Sequence, residues 1–294
     1  MDGVLASRFL FDAIGTAWEI NTPAPLKLET RENILDLVER FDSVYSRFRD
    51  DSIVTRIATA ADGGTFCFPA DSIPMFDHYD RLHAATEGAV DPLVGRDLEL
   101  LGYDRHYSFK PQREKTVTRR PTWSRDVVRD GSRLTTRKPL VIDLGAIGKG
   151  MLVDHVSEFL LADGLEEFVV DSSGDIRHCG DRALKVGLEH PLDPSAVIGI
   201  ISLNNACICA SAINRRTWGE SLHHVIDARS GRPTSDVIAT WAIAANTAMA
   251  DGFATALFFD ATSSLMASFD FSFVRMFADG RVEISDNFEG ELFT

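Results

Sequence analysis

Apolar residues recur at helical spacing in three places along the chain. Ile34, Leu37, Val38, Phe41 and Tyr45 fall on one stripe, which predicts a helix over 31–45 with Thr30 as its N-cap. Ile73, Phe76, Leu82 and Ala85 repeat the pattern over 72–86, and Gly88 is placed to end it. Val153, Val156, Phe159 and Leu160 mark a third helix over 150–162, before Asp163-Gly164. Shorter apolar and β-branched runs read as strands at 168–170, 184–188, 197–203, 224–226 and 237–244. Ala278-Asp279-Gly280-Arg281 looks like a hairpin turn between 271–277 and 282–284. Helices and strands are interspersed without a regular βαβ rhythm. The predicted class is therefore α+β, with mixed or antiparallel sheets and packed helices. No linker and no internal repeat divides residues 1–294, which read as a single unit.

Composition bounds this picture. The chain has 294 residues, 45% hydrophobic and 25% charged, an ordinary globular balance with length enough for a sizeable core. Its longest apolar runs, 196–203 and 237–245, have strand lengths, well short of the roughly 18–20 residues that span a bilayer. Residues 1–10 lack the basic start and long apolar stretch of a signal peptide, although a trimmed exported form would look the same. The four cysteines (Cys67, Cys179, Cys207, Cys209) are few and are expected to be reduced, which leans towards a cytoplasmic location. Cys207 and Cys209 would face one side of an alternating strand, too small a set for a zinc site.

The net charge of −14 argues against nucleic acid or an anionic membrane as partner. That charge is uneven. Residues 104–138 hold 11 Lys and Arg against four acids, a net +7 that leaves −21 for the rest. Pro111, Pro121, Gly131 and the alternation Thr116-Val117-Thr118 predict an exposed hairpin or inserted arm there. It is either a solvated basic arm or a docking surface for an acidic partner.

The common dinucleotide, Walker, zincin and hydrolase signatures (G-x-G-x-x-G, G-x-x-x-x-G-K-[ST], H-E-x-x-H, G-x-S-x-G) are missing from the sequence. Three other stretches suggest chemistry. Val141-Ile142-Asp143-Leu144-Gly145-Ala146-Ile147-Gly148-Lys149-Gly150 runs straight into a predicted helix. Glycines that let backbone N–H groups approach, a helix N-terminus and Lys149 are together suited to a phosphate. A glycine-rich connection with a solvated Lys is the plain alternative. In the apolar helix Ala250-Asp251-Gly252-Phe253-Ala254-Thr255-Ala256-Leu257-Phe258, Asp251 and Thr255 are spaced i, i+4 and share a face. One carboxylate and one hydroxyl suit Mg²⁺, unless they merely serve the helix terminus and its backbone. Finally, His223-His224-Val225-Ile226-Asp227 puts His224 near a strand end beside Asp227, a general acid/base candidate or a structural histidine.

Taken in order, these stretches resemble the ApbE family, the FAD:protein FMN transferases once described as thiamine-biosynthesis lipoproteins. Phe11-Asp12-Ala13-Ile14-Gly15-Thr16 is similar to the family's F-x-A-M-G-T. Ser46-Arg47-Phe48-Arg49-Asp50-Asp51-Ser52 resembles S-x-Y-x-x-D-S, and Gly88-Ala89-Val90-Asp91-Pro92 resembles G-x-F-D-P. The Asp143–Gly150 loop follows, then Ser173-Gly174-Asp175-Ile176 for G-G-D-I, Ala210-Ser211-Ala212 for T-S-G, the His224–Gly231 stretch and Asp251–Thr255. The resemblance implies an ApbE-like (T-fold-like) architecture. It also implies Mg²⁺-dependent cleavage of the FAD pyrophosphate, with FMN moved to a Thr or Ser hydroxyl of a partner flavoprotein and AMP released. By position, Asp251, Thr255 and the backbone oxygen of Ala146 would hold the metal. FAD would contact Ile14, Phe48, Ala89, Val90, Asp91, Asp143, Lys149 and Ile226. His224 would be the base, oriented by Asp227.

The chain departs from the family pattern at several points. Ile14 stands for Met, Phe48 for Tyr, Ser173 and Ala212 for Gly, and Ala254 for a second acid found in some members. Arg215-Arg216 could contact phosphate in compensation. An FAD-binding protein without transferase activity, and an Mg²⁺-dependent FAD pyrophosphatase giving FMN and AMP, are the alternatives. A pure binder has no need of Asp251 and Thr255 on one face.

Overall fold

The computed structural model describes residues 5–112, 119–219 and 222–293. Its centre is an eight-stranded sheet whose neighbours are all antiparallel and meet in chain order. Its strands are β1 (Ser7–Ala13), β2 (Thr16–Thr22), β3 (Phe168–Ser172), β4 (Asp175–Cys179), β5 (Cys207–Ala212), β6 (Val237–Ala244), β7 (Ser272–Phe277) and β8 (Val282–Ile284). Four helices matter for the site: α1 (Leu28–Tyr45), α2 (Ile73–Ala85), α3 (Gly148–Ala162) and α4 (Thr247–Ala256). The α+β expectation, with antiparallel sheets and packed helices, is met.

Both faces of the sheet are covered, which explains why β6 is apolar almost throughout. On one face α3 and α4 pack in a core with Trp18, Ile20, Cys207, Cys209 and Phe253. On the other, Ile208, Ile238, Trp241 and Val274 meet Leu188, Ile198 and Ile201 from a second antiparallel sheet, Leu184–His190 with Asp193–Leu203. Alternation along β5 thus sends Cys207 and Cys209 to the helices and Ile208 to the small sheet, as the spacing predicts. All four cysteines are free thiols. No helix among the described residues is long and apolar enough to cross a membrane.

Several boundaries differ from expectation for identifiable reasons. Helix α1 starts at Leu28, so Thr30 lies inside the first turn. Its hydroxyl donates to Asp163 Oδ2 at 2.7 Å instead of capping the helix. Helix α2 ends as expected: Gly88 takes φ +83° and its N–H closes on the His83 carbonyl at 2.8 Å. The strand expected at 224–226 is reduced to two-residue bridges, Leu222–His223 and Ile226–Asp227. His224 sits between them, and Pro233, the partner of Ile226, has no N–H to extend the ladder.

The N-terminal hairpin is not among the expected elements. Its turn is Ile14-Gly15, both at positive φ (+46° and +76°). That is the geometry of a two-residue I′ turn, which favours Asn-Gly and disfavours a β-branched residue. The turn signal is therefore disguised.

The basic stretch is also different. A hairpin does occur, at Val127–Asp130 and Arg133–Thr136 around Gly131, and it pairs with Gly64–Cys67. The Thr116-Val117-Thr118 alternation lies outside the described residues. Three of its arginines meet acids of the body: Arg129 bridges Asp77 and Asp80 at 2.6 and 2.8 Å, Arg120 reaches Asp97 at 3.0 Å, and Arg105 pairs with Asp50. Lys138 meets Asp126 of the segment itself at 2.8 Å. These three arginines tie the segment to the acidic surface.

Candidate active site

A cleft of about 740 Å³ opens where the β1–β2 turn, the loop after α1, the loop entering α3 and the C-terminal half of α4 converge. Ile14, Phe48, Ala89, Val90, Asp91, Asp143, Ala146, Lys149, His224, Ile226, Asp251 and Thr255 all line it. Of the expected site residues only Asp227 does not.

The loop entering α3 is built around Asp143. Its N–H donates to the Pro92 carbonyl at 2.7 Å, its Oδ1 accepts from the Gly145 N–H at 2.8 Å, and its Oδ2 takes Arg47 Nε at 2.5 Å. Burial alone would raise this carboxyl, but the Arg47 guanidinium holds it below the usual carboxylate range. Further along, Gly150 packs directly on α4. A Cβ there would lie 2.3 Å from the Thr247 carbonyl oxygen and 2.8 Å from Asp251 Cβ. Gly150→Ala is accordingly expected to cost about 1–3 kcal/mol or more in a denaturant titration, because the backbone in contact cannot rotate away. An unshifted midpoint would contradict this packing.

Helix α4 is fixed at its start by two acceptors. Asn246 caps the Met249 N–H, and the Asp154 carboxylate accepts from the N–H groups of Thr247 and Ala248, each at 2.8 Å. This anchors Asp251, only 6% exposed, whose Oδ2 accepts the Gly150 N–H at 2.9 Å. Burial raises the Asp251 pKa, and the neighbouring Asp175 raises it further. Lys149 is ion-paired with Asp175, whose side chain is fully buried. Burial on its own would lower the lysine, yet Asp175 and Asp251 keep it raised and charged. The ammonium expected to await a phosphate is thus already engaged by a carboxylate.

This cluster sets two buried carboxyl groups against one ammonium; Asp251, pushed up to about 8, holds a proton at pH 7 that a divalent cation would displace. Asp251, the Thr255 hydroxyl and the Ala146 carbonyl are hard oxygen donors bordering the same cleft, so the residues fit Mg²⁺. Among the described residues no three His, Cys, Asp or Glu side chains form a ready cage. Waters and substrate oxygens would complete the shell, the arrangement Mg²⁺ favours. Ala254, where a second acid was considered, is fully buried in the main core.

His224 and Asp227 do not form the expected pair. The Asp227 carboxylate is held by its neighbour Arg229, with Oδ2 taking Nη2 at 2.6 Å and Oδ1 taking Nε at 3.0 Å. His224 Nδ1 is buried and has no hydrogen-bond partner among the described residues. Burial, aided by the Arg216 charge, pushes this imidazole down to about 3, so it is neutral at pH 7 and only weakly basic in the empty cleft. His223 is the structural histidine of the two: its Nε2 lies 2.8 Å from the Thr234 carbonyl and its Nδ1 accepts the Val225 N–H.

Asp91 also differs in use. Its oxygens accept the Leu93 and Trp123 N–H groups at 2.8 and 2.9 Å, and His83 stands 3.2 Å away. The carboxylate organises the chain around it. Ser173 occupies the left-handed region at φ +51°, where a glycine would be unstrained, and its hydroxyl donates to the Ala17 carbonyl. Ala212 is extended, so its Cβ brings no backbone strain.

The sequence reading missed the aromatic wall around Phe48. Tyr107 lies parallel to Phe48 with ring centroids 5.0 Å apart, and Tyr103 meets both edge-on. Arg216 Nη1 donates to the Tyr103 hydroxyl at 2.7 Å, and Arg47 is stacked at 4.1 Å from the Phe48 centroid. These contacts join residues far apart in the chain, and no local pattern marks them.

An antiparallel α+β sandwich with a cleft at its loop-rich end defines the class, and the match at family level makes it specific. The chain belongs to the ApbE family, whose sequence model matches residues 14–270. It is 28% identical over 261 residues to the FAD:protein FMN transferase of Vibrio cholerae serotype O1, covering 83% of this chain and 78% of that protein. The FAD:protein FMN transferase of Haemophilus influenzae is 28% identical over 251 residues, 78% of this chain and 72% of that one. The flavin transferase ApbE from Vibrio cholerae superposes with a TM-score of 0.80 at 24% identity, over 96% of this chain and 97% of that one. The ApbE protein of Thermotoga maritima gives 0.83 at 22% identity, over 95% and 97%. The structural neighbours share the fold.

Proposed function

We propose that this protein is an FAD:protein FMN transferase that cleaves the FAD pyrophosphate and transfers FMN to a Thr or Ser hydroxyl of a partner flavoprotein. The attacking hydroxyl oxygen bonds to the phosphorus on the FMN side, the P–O bond to the AMP phosphate breaks, and AMP leaves. The observation that carries this reading is the buried Asp251, one helical turn from Thr255 and hydrogen-bonded to Gly150 of the glycine loop at the cleft. Such a carboxylate–hydroxyl pair serves bond cleavage, and mere flavin binding has no use for it.

Mg²⁺, held by Asp251, Thr255 and the Ala146 carbonyl, would neutralise charge developing on the pyrophosphate. The chain's own groups do the rest. His224 accepts the proton of the incoming hydroxyl, the phosphate charge of bound FAD restoring the basicity that burial removes. The positive partial charge at the N-terminus of α3 and the Arg215 and Arg216 side chains at the cleft face the phosphates. Lys149 holds Asp175 in its ionised form beside Asp251. Phe48 and Ile14 provide apolar walls for the isoalloxazine.

Ile14 makes a separable prediction. Its left-handed backbone costs about 1–2 kcal/mol that asparagine largely avoids. Ile14→Asn should therefore raise unfolding stability by about 1 kcal/mol while weakening FAD binding, read by denaturant and FAD titrations of one sample. A stability loss would contradict the strain, and unchanged binding would remove Ile14 from the flavin wall.

Incubation with FAD, Mg²⁺ and an acceptor flavoprotein tests the whole reading. Covalent flavin on the acceptor with stoichiometric AMP supports transfer. Free FMN with AMP indicates a pyrophosphatase, and intact FAD indicates a binding protein.

A further inference from the structure

Arg47 is buried, with its side chain only 5% exposed, yet two of its three guanidinium nitrogens find no hydrogen-bond partner among the described residues. Nε donates to Asp143 Oδ2 at 2.5 Å, while Nη1 and Nη2 have no partner among the described residues. The guanidinium carbon lies 4.1 Å from the Phe48 ring centroid and 5.0 Å from that of Tyr103, and the residue lines the cleft. A buried donor left unsatisfied is costly, and a charged one more so. Such a group is retained where something else completes it.

Three properties narrow what completes it. The free N–H groups form one edge of a rigid planar fork, which matches an acceptor with carbonyl or oxyanion oxygens. Asp143 already neutralises the guanidinium charge, so the pair offers directed hydrogen bonds with little net charge. That suits a neutral polar edge better than a phosphate, which gains most from an uncompensated cation. Finally, the fork sits within an aromatic cluster of Phe48, Tyr103 and Tyr107, which gives the cleft an apolar edge beside it.

Resting on the function proposed above, we propose that Arg47 is a flavin-recognising residue whose Nη1 and Nη2 hydrogens bond the carbonyl-bearing pyrimidine edge of the isoalloxazine as its ring enters the cleft beside the Phe48–Tyr107 stack. It selects the ring of the substrate, and the pyrophosphate is left to the metal end of the cleft. Asp143 is then a positioning residue: it fixes Nε and turns the remaining edge of the fork towards the ligand.

The test separates the two halves of FAD. Arg47→Lys keeps a cation beside Asp143 but removes the fork. Affinities of wild type and variant are measured by calorimetry for FAD, riboflavin and ADP. The expected result is a loss of about 10-fold or more for FAD and riboflavin, with ADP within about 2-fold of wild type. Loss of ADP affinity with riboflavin unchanged would make Arg47 a phosphate ligand and overturn the proposal. Equal affinities for all three ligands would also overturn it, leaving Arg47 a structural partner of Asp143. Should the variant fail to fold by circular dichroism, the wild type supplies a second test. It should bind lumiflavin about 10-fold more tightly than a phenazine of similar ring width lacking the pyrimidine carbonyls, and equal binding overturns the proposal. If wild-type protein binds ADP but neither FAD nor riboflavin, the flavin reading itself fails, an outcome distinct from selective failure at Arg47.

Discussion

Asp251→Ala is expected to reduce Mg²⁺-dependent turnover at least about 10³-fold, the scale on which charge-stabilising groups act in such transfers. Asp251 is the one carboxylate in the proposed metal set, and Thr255 and Ala146 offer only neutral oxygens. Stability should move the other way or little. Burial and Asp175 push Asp251 up to about 8, so at pH 7 the metal-free folded state holds it mostly as the neutral acid and alanine removes no stabilising charge. Against this stands the Gly150 N–H, which loses its 2.9 Å partner. Turnover and melting temperature are thus expected to part company. Residual turnover near wild type, with folding intact, would remove Asp251 from the metal.

His224→Ala should slow transfer by about 10²–10⁴-fold while changing FAD affinity much less, since a general base acts on the proton in flight. Its pH behaviour is a second signature. With the imidazole pushed down to about 3, His224 remains deprotonated through the ordinary histidine range, so turnover shows no acid limb near pH 6.5 from this residue. The sign for stability follows from the same shift. Below about pH 6.5 the unfolded chain binds a proton at His224 that the folded chain refuses, so stability falls with falling pH. Alanine abolishes that contribution, and the stability curve of the variant should be flatter between about pH 6.5 and 3. A parallel loss of binding and turnover would make His224 a wall of the pocket.

What could be read along the chain depended on whether its cause was local. Helices α2 and α3 were legible because a buried stripe repeats every three to four residues and glycines close them. The glycine loop and the Asp251–Thr255 pair were legible because their geometry is set within a few residues. The N-terminal hairpin was hidden although Trp18, Ile20 and Thr22 alternate inward, because a strained Ile-Gly replaces the usual turn residues. Asp227 was misassigned because nearness to His224 in sequence says nothing of Arg229, which captures the carboxylate first. Lys149 was misread similarly: the sequence shows a lysine beside glycines, whereas the fold brings Asp175 from the sheet to meet it. Arg47 left no signal at all. Its meaning lies in Asp143, Phe48 and Tyr103, and only the folded chain gathers them.

The central claim is that a cleft built for cleavage hands its flavin to another protein. Intact mass spectrometry of an acceptor flavoprotein after incubation with this enzyme, FAD and Mg²⁺ tests it most directly. The acceptor is expected to gain the mass of one FMN less water, a gain lost with Asp251→Ala and with a chelator. An unmodified acceptor beside consumed FAD, or beside intact FAD, would contradict it.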